Sequence, residues 1–126
     1  MESKRLGLEA VSAYRKSFGL SNFVWDIVQK WQPFERTTLG KHLVNAIDAI
    51  SANISGGFCK ERQQEQIHLY QTTKGSVGES LDWIQKARVR GLVTDKEYYL
   101  ILGLLTELPQ ELNQLIISSS EQLLPR

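Results

Sequence analysis

Apolar residues recur along most of the chain at spacings of three and four, which place side chains on one face of an α-helix. The pattern divides into four segments and predicts helices over about residues 8–31, 37–55, 61–90 and 94–120. No strand-like alternation or hairpin turn competes with it. The sequence therefore predicts an all-α fold, an antiparallel up-down-up-down four-helix bundle formed by residues 1–126 as one domain.

The first predicted helix carries two neighbouring apolar rows. One consists of Val11, Tyr14, Phe18, Trp25 and Val28, and the other of Leu20, Val24, Ile27 and Trp31. We expect the first row to face the core and part of the second to lie outside it. Pro33 ends this helix, because the residue before a proline is driven out of the α region.

Short sequence signals mark the ends of the other helices. Thr37 or Thr38 is a plausible N-cap of the second helix, and Gly56-Gly57 is expected to stop it. Thr94 and Glu97 have the spacing of a capping box at the start of the fourth helix.

Glycine and proline also occur inside predicted helices. Gly75 and Gly78 lie within the third helix, where we expect them to admit a second backbone, with a hinge as the alternative. Pro109 is expected to kink the fourth helix, because proline lacks an N–H and clashes with the preceding turn.

Some apolar residues fall outside the main stripes. They include Trp83, Leu100, Leu104 and Ile117. A bundle that is apolar on more than one face usually covers the second face with another subunit. We therefore expect a homo-oligomer, with these four residues as candidate interface positions.

Composition adds few constraints. The 126 residues carry 15 Lys/Arg and 14 Asp/Glu, so the net charge of +1 does not indicate a nucleic-acid or membrane partner. A single cysteine, the lack of a signal-like N-terminus and the lack of a run of about 20 apolar residues indicate a soluble cytoplasmic protein with no membrane role.

No pattern typical of an active site is present. His42 and His68 lie 26 residues apart, without further ligands at metal-binding spacing, and Cys59 has no matching His/Asn set. We therefore predict a non-enzyme with no catalytic residues, no metal and no cofactor.

Basic residues are the remaining candidates for binding. Those near the joints and along the third helix are Lys41, Lys60, Arg62, Lys74, Lys86, Arg88 and Arg90. One interpretation is that they are solvated helix faces, the last three of which also complement a helix dipole. Alternatively, copies of the chain could align them into a patch that binds a phosphate backbone.

The second and third helices resemble a small bacterial four-helix bundle family that includes proteins encoded in intervening sequences of 23S ribosomal RNA genes. The accessory variability determinant proteins of diversity-generating retroelements are similar. The segments Asn53-Ile54 with Gly57, and Gly75-Ser76-Val77 with Glu79, carry the resemblance, which extends more loosely over residues 8–116. At Val44-Asn45 the chain departs from the Arg pair that is usual in the family.

The resemblance implies a homopentamer of antiparallel bundles without catalytic activity. For the retroelement branch it also implies binding to nucleic acid and to a reverse transcriptase. The sequence thus favours an oligomeric accessory protein that binds RNA or DNA. The alternative is a protein–protein adaptor or scaffold ring without a nucleic-acid role, while a small-ligand carrier lacks inward polar groups.

Overall fold

A computed structural model describes residues 7, 8 and 10–121, and these residues form helices without any strand. The four long helices are α1 (Ser12–Gln29), α2 (Lys41–Phe58), α3 (Gln63–Val89) and α4 (Asp95–Glu121). The all-α four-helix bundle predicted from the sequence is confirmed. The predicted bounds of α3 and α4 agree with the structure within two residues, whereas α1 begins at Ser12 rather than at residue 8.

Contacts between α2 and α3 pair the start of one helix with the end of the other. Gly57, near the end of α2, lies against Tyr70 in the first half of α3. His42, at the start of α2, stacks on Trp83 near the end of α3. This order of contacts is that of antiparallel neighbours.

Contacts of α4 run in the same sense. Arg88, near the end of α3, bonds to Tyr99 near the start of α4. Gln66, near the start of α3, accepts a hydrogen bond from Ser119 near the end of α4. An up-down order of the helices accounts for both contacts.

The core lies between all four helices. Its most deeply buried side chains are branched aliphatics: Leu20, Val24, Leu43, Ile47, Ile50, Ile54, Val77, Ile84, Ile101, Leu105, Leu108 and Leu112. Burying such a side chain stabilises the fold by about 1.5–3 kcal/mol. Packing of these aliphatic faces, more than helix propensity, therefore stabilises the bundle.

The orientation of α1 differs from the prediction. The row from Leu20 to Trp31 faces the core, whereas Phe18 and Trp25 of the other row are 52% and 50% exposed. Lys16 lies beside the buried row and pairs with Glu107 and Glu111 of α4, at 2.9 and 3.1 Å. Burial of Leu20, Val24 and Ile27 fixes the inner face of α1, and the ion pairs of Lys16 accompany this rotation, which leaves Phe18 and Trp25 outside.

The helical lead-in to α2 begins earlier than predicted. Pro33 starts a short helix, Pro33–Glu35, because its missing N–H costs nothing in a first turn. A π-helical turn, Arg36–Gly40, connects this short helix to α2. Thr37 and Thr38 are therefore not N-caps, and their hydroxyls donate to the carbonyls of Pro33 and Phe34.

Gly40 ends the π-helical turn where it packs against α1. A Cβ atom at Gly40 would lie 2.7 Å from Cγ1 of Val28 and 3.4 Å from Cε3 of Trp31. Contacts this short exclude a side chain. The turn therefore brings the backbone of the lead-in directly against α1.

Gly56-Gly57 does not stop α2, which continues to Phe58. A Cβ atom at Gly57 would lie 2.8 Å from the ring of Tyr70, whereas one at Gly56 would make an ordinary contact, 3.6 Å from Leu69. Gly57 therefore serves the close approach of α3, and the expectation of a helix stop was wrong.

Gly75 and Gly78 do not admit a second backbone within the chain. Both are exposed, and a Cβ atom at either position would meet nothing within 4 Å among the described residues. The predicted close packing of these glycines is therefore not found within the described part of the chain. Pro109 lies inside α4, which continues through it to Glu121.

Candidate nucleic-acid interface

The seven basic residues singled out from the sequence do not form one patch. α3 spans about 40 Å, since an α-helix rises about 1.5 Å per residue. Lys60 and Arg62 lie at the joint that precedes α3, whereas Arg88 and Arg90 lie at its opposite end. Because α2 is antiparallel to α3, Lys41 lies at the same end of the bundle as Arg90.

Arg88 is held by aromatic rings of α4. Its guanidinium lies 4.4 Å from the ring centre of Tyr98 and 4.8 Å from that of Tyr99. It also donates a hydrogen bond to the Tyr99 hydroxyl, at 3.1 Å, and lies 3.7 Å from Asp95. The hydrogen bond to Tyr99 raises the pKa of Arg88. Through these contacts Arg88 stabilises the joint between α3 and α4.

Two further candidates also have partners within the chain. Lys74 donates a hydrogen bond to the Asn113 side chain at 2.9 Å, linking α3 to α4. Lys86 pairs with Asp82 one turn earlier on α3. The Asp82 carboxylate reduces the positive charge that Lys86 could offer to a phosphate.

Four of the candidates are exposed, and their side chains form no ion pair or hydrogen bond with any other described residue. They are Lys41, Lys60, Arg62 and Arg90. An exposed cation without a carboxylate partner can neutralise a phosphate at little cost. These four side chains are therefore the strongest of the predicted contacts.

A ladder of three side chains joins α2 to α3 near Arg90. The rings of His42 and Trp83 are stacked, with centroids 4.6 Å apart and an interplanar angle of 9°. Nζ of Lys86 lies 4.5 Å from the centre of the Trp83 ring. His42 is exposed and Trp83 is half-buried. We call His42, Trp83 and Lys86 the aromatic ladder.

The opposite end of the α2–α3 face contains a shallow groove. It has a volume of about 370 Å³ and is lined by Lys60, Gln64, Glu65, His68 and Leu69. Exposed Glu61 and Glu65 accompany Lys60 and Arg62 at this end. Its charges therefore nearly cancel.

The four candidate interface residues occupy different surfaces. Leu104 packs against the core and Leu100 is 45% exposed. Both share a helix face with Glu107, which binds Lys16 of α1, so they lie on the side of α4 toward α1. Ile117 is half-exposed, and Trp83 belongs to the aromatic ladder.

Sequence reasoning placed other aromatic residues of α1 in the core, but the structure leaves them at the surface. Phe18 and Trp25 are seven residues apart on one helix face, and Tyr14 contacts Phe18 with ring centroids 5.8 Å apart. We call Tyr14, Phe18 and Trp25 the outer α1 face. Tyr14 is partly buried against the core, whereas the half-exposed rings of Phe18 and Trp25 are of the kind that other protein surfaces cover.

Metal-binding groups and membrane-spanning helices are both absent from the described residues. They contain no group of three or more His, Cys, Asp and Glu side chains that could hold a metal ion. Within the same residues, every helix is too short or too polar to cross a bilayer.

Comparison with known proteins identifies one family. No curated protein matches the sequence significantly. The family model described as 23S rRNA-intervening sequence protein matches residues 9–114, which include the four helices up to the last turns of α4. The match spans the aromatic ladder and all seven basic candidates. The chain therefore belongs to the family of 23S rRNA-intervening sequence proteins.

Proposed function

We propose that this protein is a non-enzymatic accessory protein of the cytoplasm that binds RNA as a homo-oligomer. The observation that carries the proposal is the family match over residues 9–114, which supports an RNA-related accessory role. The unpaired cations Lys41, Lys60, Arg62 and Arg90 supply groups suited to phosphate contact.

Oligomerisation allows RNA binding although each single chain has a low net charge. A single chain carries a net charge of only +1, which gives weak long-range attraction to a polyanion. A closed ring presents each basic position once per subunit, so a long RNA can contact several copies at once. A homopentamer is the assembly that the family resemblance implies, and the outer α1 face offers apolar surface for it.

Salt dependence tests the proposal directly. RNA containing a 23S intervening sequence is titrated with the full-length protein, and affinity is measured by fluorescence anisotropy between 50 and 200 mM salt. We expect log K to fall linearly with log salt, with a slope of about −0.7 for each contacted phosphate on single strands. Failure to retain RNA at 50 mM salt would contradict the proposal.

The second candidate function is a protein–protein adaptor. It is favoured by the outer α1 face, where Phe18 and Trp25 are half-exposed. Because the chain resembles retroelement accessory proteins, a reverse transcriptase is the protein partner to test first, by co-purification. Stable capture of this partner without any affinity for RNA would favour the adaptor over the RNA-binding protein.

A further inference from the structure

We propose that the aromatic ladder and its two neighbouring cations form a site for unpaired RNA. In this site a nucleobase stacks on the open side of the His42 ring, and Lys41 and Arg90 bind the flanking phosphates. The inference rests on the proposed RNA-binding function and specifies its location and substrate class. The ligand is a single-stranded or looped segment of RNA.

The ladder holds its outermost ring ready for stacking. Trp83 is half-buried, lies nearly parallel to His42 and is flanked by the Lys86 ammonium group. His42 is exposed, so a base can reach it without displacing a core side chain. A ring that is already oriented loses less conformational freedom on binding. Flat exposed rings of this kind are the usual partners of unpaired bases.

Two unpaired cations lie at the same end of the bundle as the ladder. Arg90 directly follows the last residue of α3, about 10 Å along the helix axis from Trp83, and lines one shallow pocket with Lys86 of the ladder. Lys41 directly precedes His42 on α2. Both side chains are exposed and lack partners among the described residues.

Charge distinguishes this end of the bundle from the other. The Asp82 carboxylate is paired with Lys86, whereas the side chains of Lys41 and Arg90 have no ion-pair partner among the described residues. At the far end, Glu61 and Glu65 accompany Lys60 and Arg62, and no aromatic pair is found among the described residues there. The ladder end therefore combines two stacked rings with unpaired positive charge, whereas the far end has the single exposed ring of His68 and balanced charges.

The ladder favours unpaired over duplex RNA. Bases in an A-form helix are stacked on their neighbours, and their faces are closed to protein rings. Only a base in a loop, a bulge or a single strand can place its face on His42. The predicted preference is for an RNA with an open loop over a fully paired duplex of equal length.

The test uses the full-length protein and matched variants at the two ends. His42→Ala is compared with His68→Ala, and Lys41→Ala/Arg90→Ala with Lys60→Ala/Arg62→Ala. Affinity for a fluorescent single-stranded RNA is measured in 100 mM salt. We expect His42→Ala to weaken binding about tenfold, as typical for loss of one base–aromatic stack. The Lys41→Ala/Arg90→Ala pair should reduce the salt slope by about 1.4, or 0.7 per phosphate.

Two further measurements distinguish base stacking on His42 from a purely structural role of His42 in joining α2 to α3. His42→Tyr keeps a flat ring and should retain most of the affinity, while the circular dichroism of every variant should match that of the wild type. RNA should also quench tryptophan fluorescence in the wild type and much less in Trp83→Phe.

The inference and the proposed function fail in different ways. If wild-type protein binds no RNA, the proposed function itself is overturned. If the wild type binds but only Lys60→Ala/Arg62→Ala weakens binding, or duplex binds as well as single strands, RNA binding stands and the ladder site is overturned.

Discussion

At the scale of single residues, Gly57 determines how closely α2 and α3 pack. Substitution to alanine would place a methyl group 2.8 Å from Cε1 of Tyr70 and 3.3 Å from Cβ of Leu69, so the helices must separate. We expect Gly57→Ala to lower the free energy of unfolding by about 1–3 kcal/mol. Chemical denaturation followed by circular dichroism measures the change.

Gly78→Ala is the matched control for Gly57→Ala. The added methyl group meets nothing within 4 Å, and alanine has the higher helix propensity. It should raise the free energy of unfolding by up to about 1 kcal/mol. We expect the loss of stability in Gly57→Ala to exceed the size of the change in Gly78→Ala. If it does not, the Tyr70 contact does not restrict this site.

Tyr70, which forms this contact, makes the stability of the fold depend on pH. Burial raises the pKa of Tyr70 to about 12, from 10.0. Since the folded protein holds this proton more tightly than the unfolded chain, the stabilisation is complete below pH 10 and is lost as the pH rises toward 12. We expect the wild type to lose about 2 kcal/mol more than Tyr70→Phe between pH 10 and 12. Equal losses in urea titrations would contradict the assignment.

The residue patterns alone did not distinguish the roles of the glycines. From the sequence, Gly56-Gly57 was interpreted as a helix stop and Gly75 as a packing position. Both interpretations used only the position of the glycine relative to the apolar residues. The contact of Gly57 with Tyr70 depends on the register of two antiparallel helices, which local sequence does not encode. Tertiary packing therefore reversed the interpretation of Gly57, and the packing predicted for Gly75 is not found within the described part of the chain.

At the scale of helices, the start of α4 is the best-specified boundary. The Thr94 hydroxyl accepts a hydrogen bond from the Glu97 amide at 3.1 Å, and Glu97 accepts one from the Thr94 amide at 2.8 Å. This confirms the predicted capping box. We expect Thr94→Ala to lower the free energy of unfolding by about 1 kcal/mol, measured by thermal denaturation.

Thr106→Ala controls for the loss of a threonine from the same helix. Its exposed hydroxyl donates to the Gly103 carbonyl within α4, a bond that does not cap the helix. Alanine there should leave stability unchanged or slightly raised, because it has the higher helix propensity. Equal destabilisation by the two substitutions would argue against the capping role.

The helices themselves were predictable because each carries a stripe of apolar residues, but the rotation of α1 was not. Its two apolar rows together cover more than one helix face, so either could have been the inner one. The choice depends on which row fits the core formed by the other helices, and the ion pairs of Lys16 with Glu107 and Glu111 accompany it; both require knowledge of the neighbouring helix. A helix cap depends on neighbouring residues and can be predicted from the sequence. The rotation of a helix depends on distant residues and cannot.

At the scale of the whole molecule, the outer α1 face is the surface on which we expect subunits to meet. Polar substitution of Phe18 and Trp25, which are 52% and 50% exposed, removes apolar contact without opening the core. We expect Phe18→Ser/Trp25→Ser to shift the mass measured by light scattering toward the 14.4 kDa of one chain.

Phe34→Ser is the control for that experiment. Phe34 is 74% exposed but lies outside the outer α1 face, at the start of the lead-in to α2. It should leave the measured mass unchanged. A double variant that keeps the wild-type mass would exclude the outer α1 face as the subunit interface.

The candidate site was predictable only in part. The basic residues could be found because lysine and arginine are visible in any sequence. Their partners could not, since Lys74 meets Asn113 39 residues later and His42 meets Trp83 41 residues later. The fold therefore decides which cations remain available and which rings they accompany.

The π-helical turn at Arg36–Gly40 has a consequence for how the chain tolerates length changes. A π-helical turn holds one residue more than an α-helical turn. Deleting one residue there would allow continuous α-helix but rotate Pro33–Glu35 by about 100° relative to α2. The connection from α1 would then enter from the wrong side. We expect a single-residue deletion in this segment to disrupt the fold, whereas an ordinary surface loop would tolerate one.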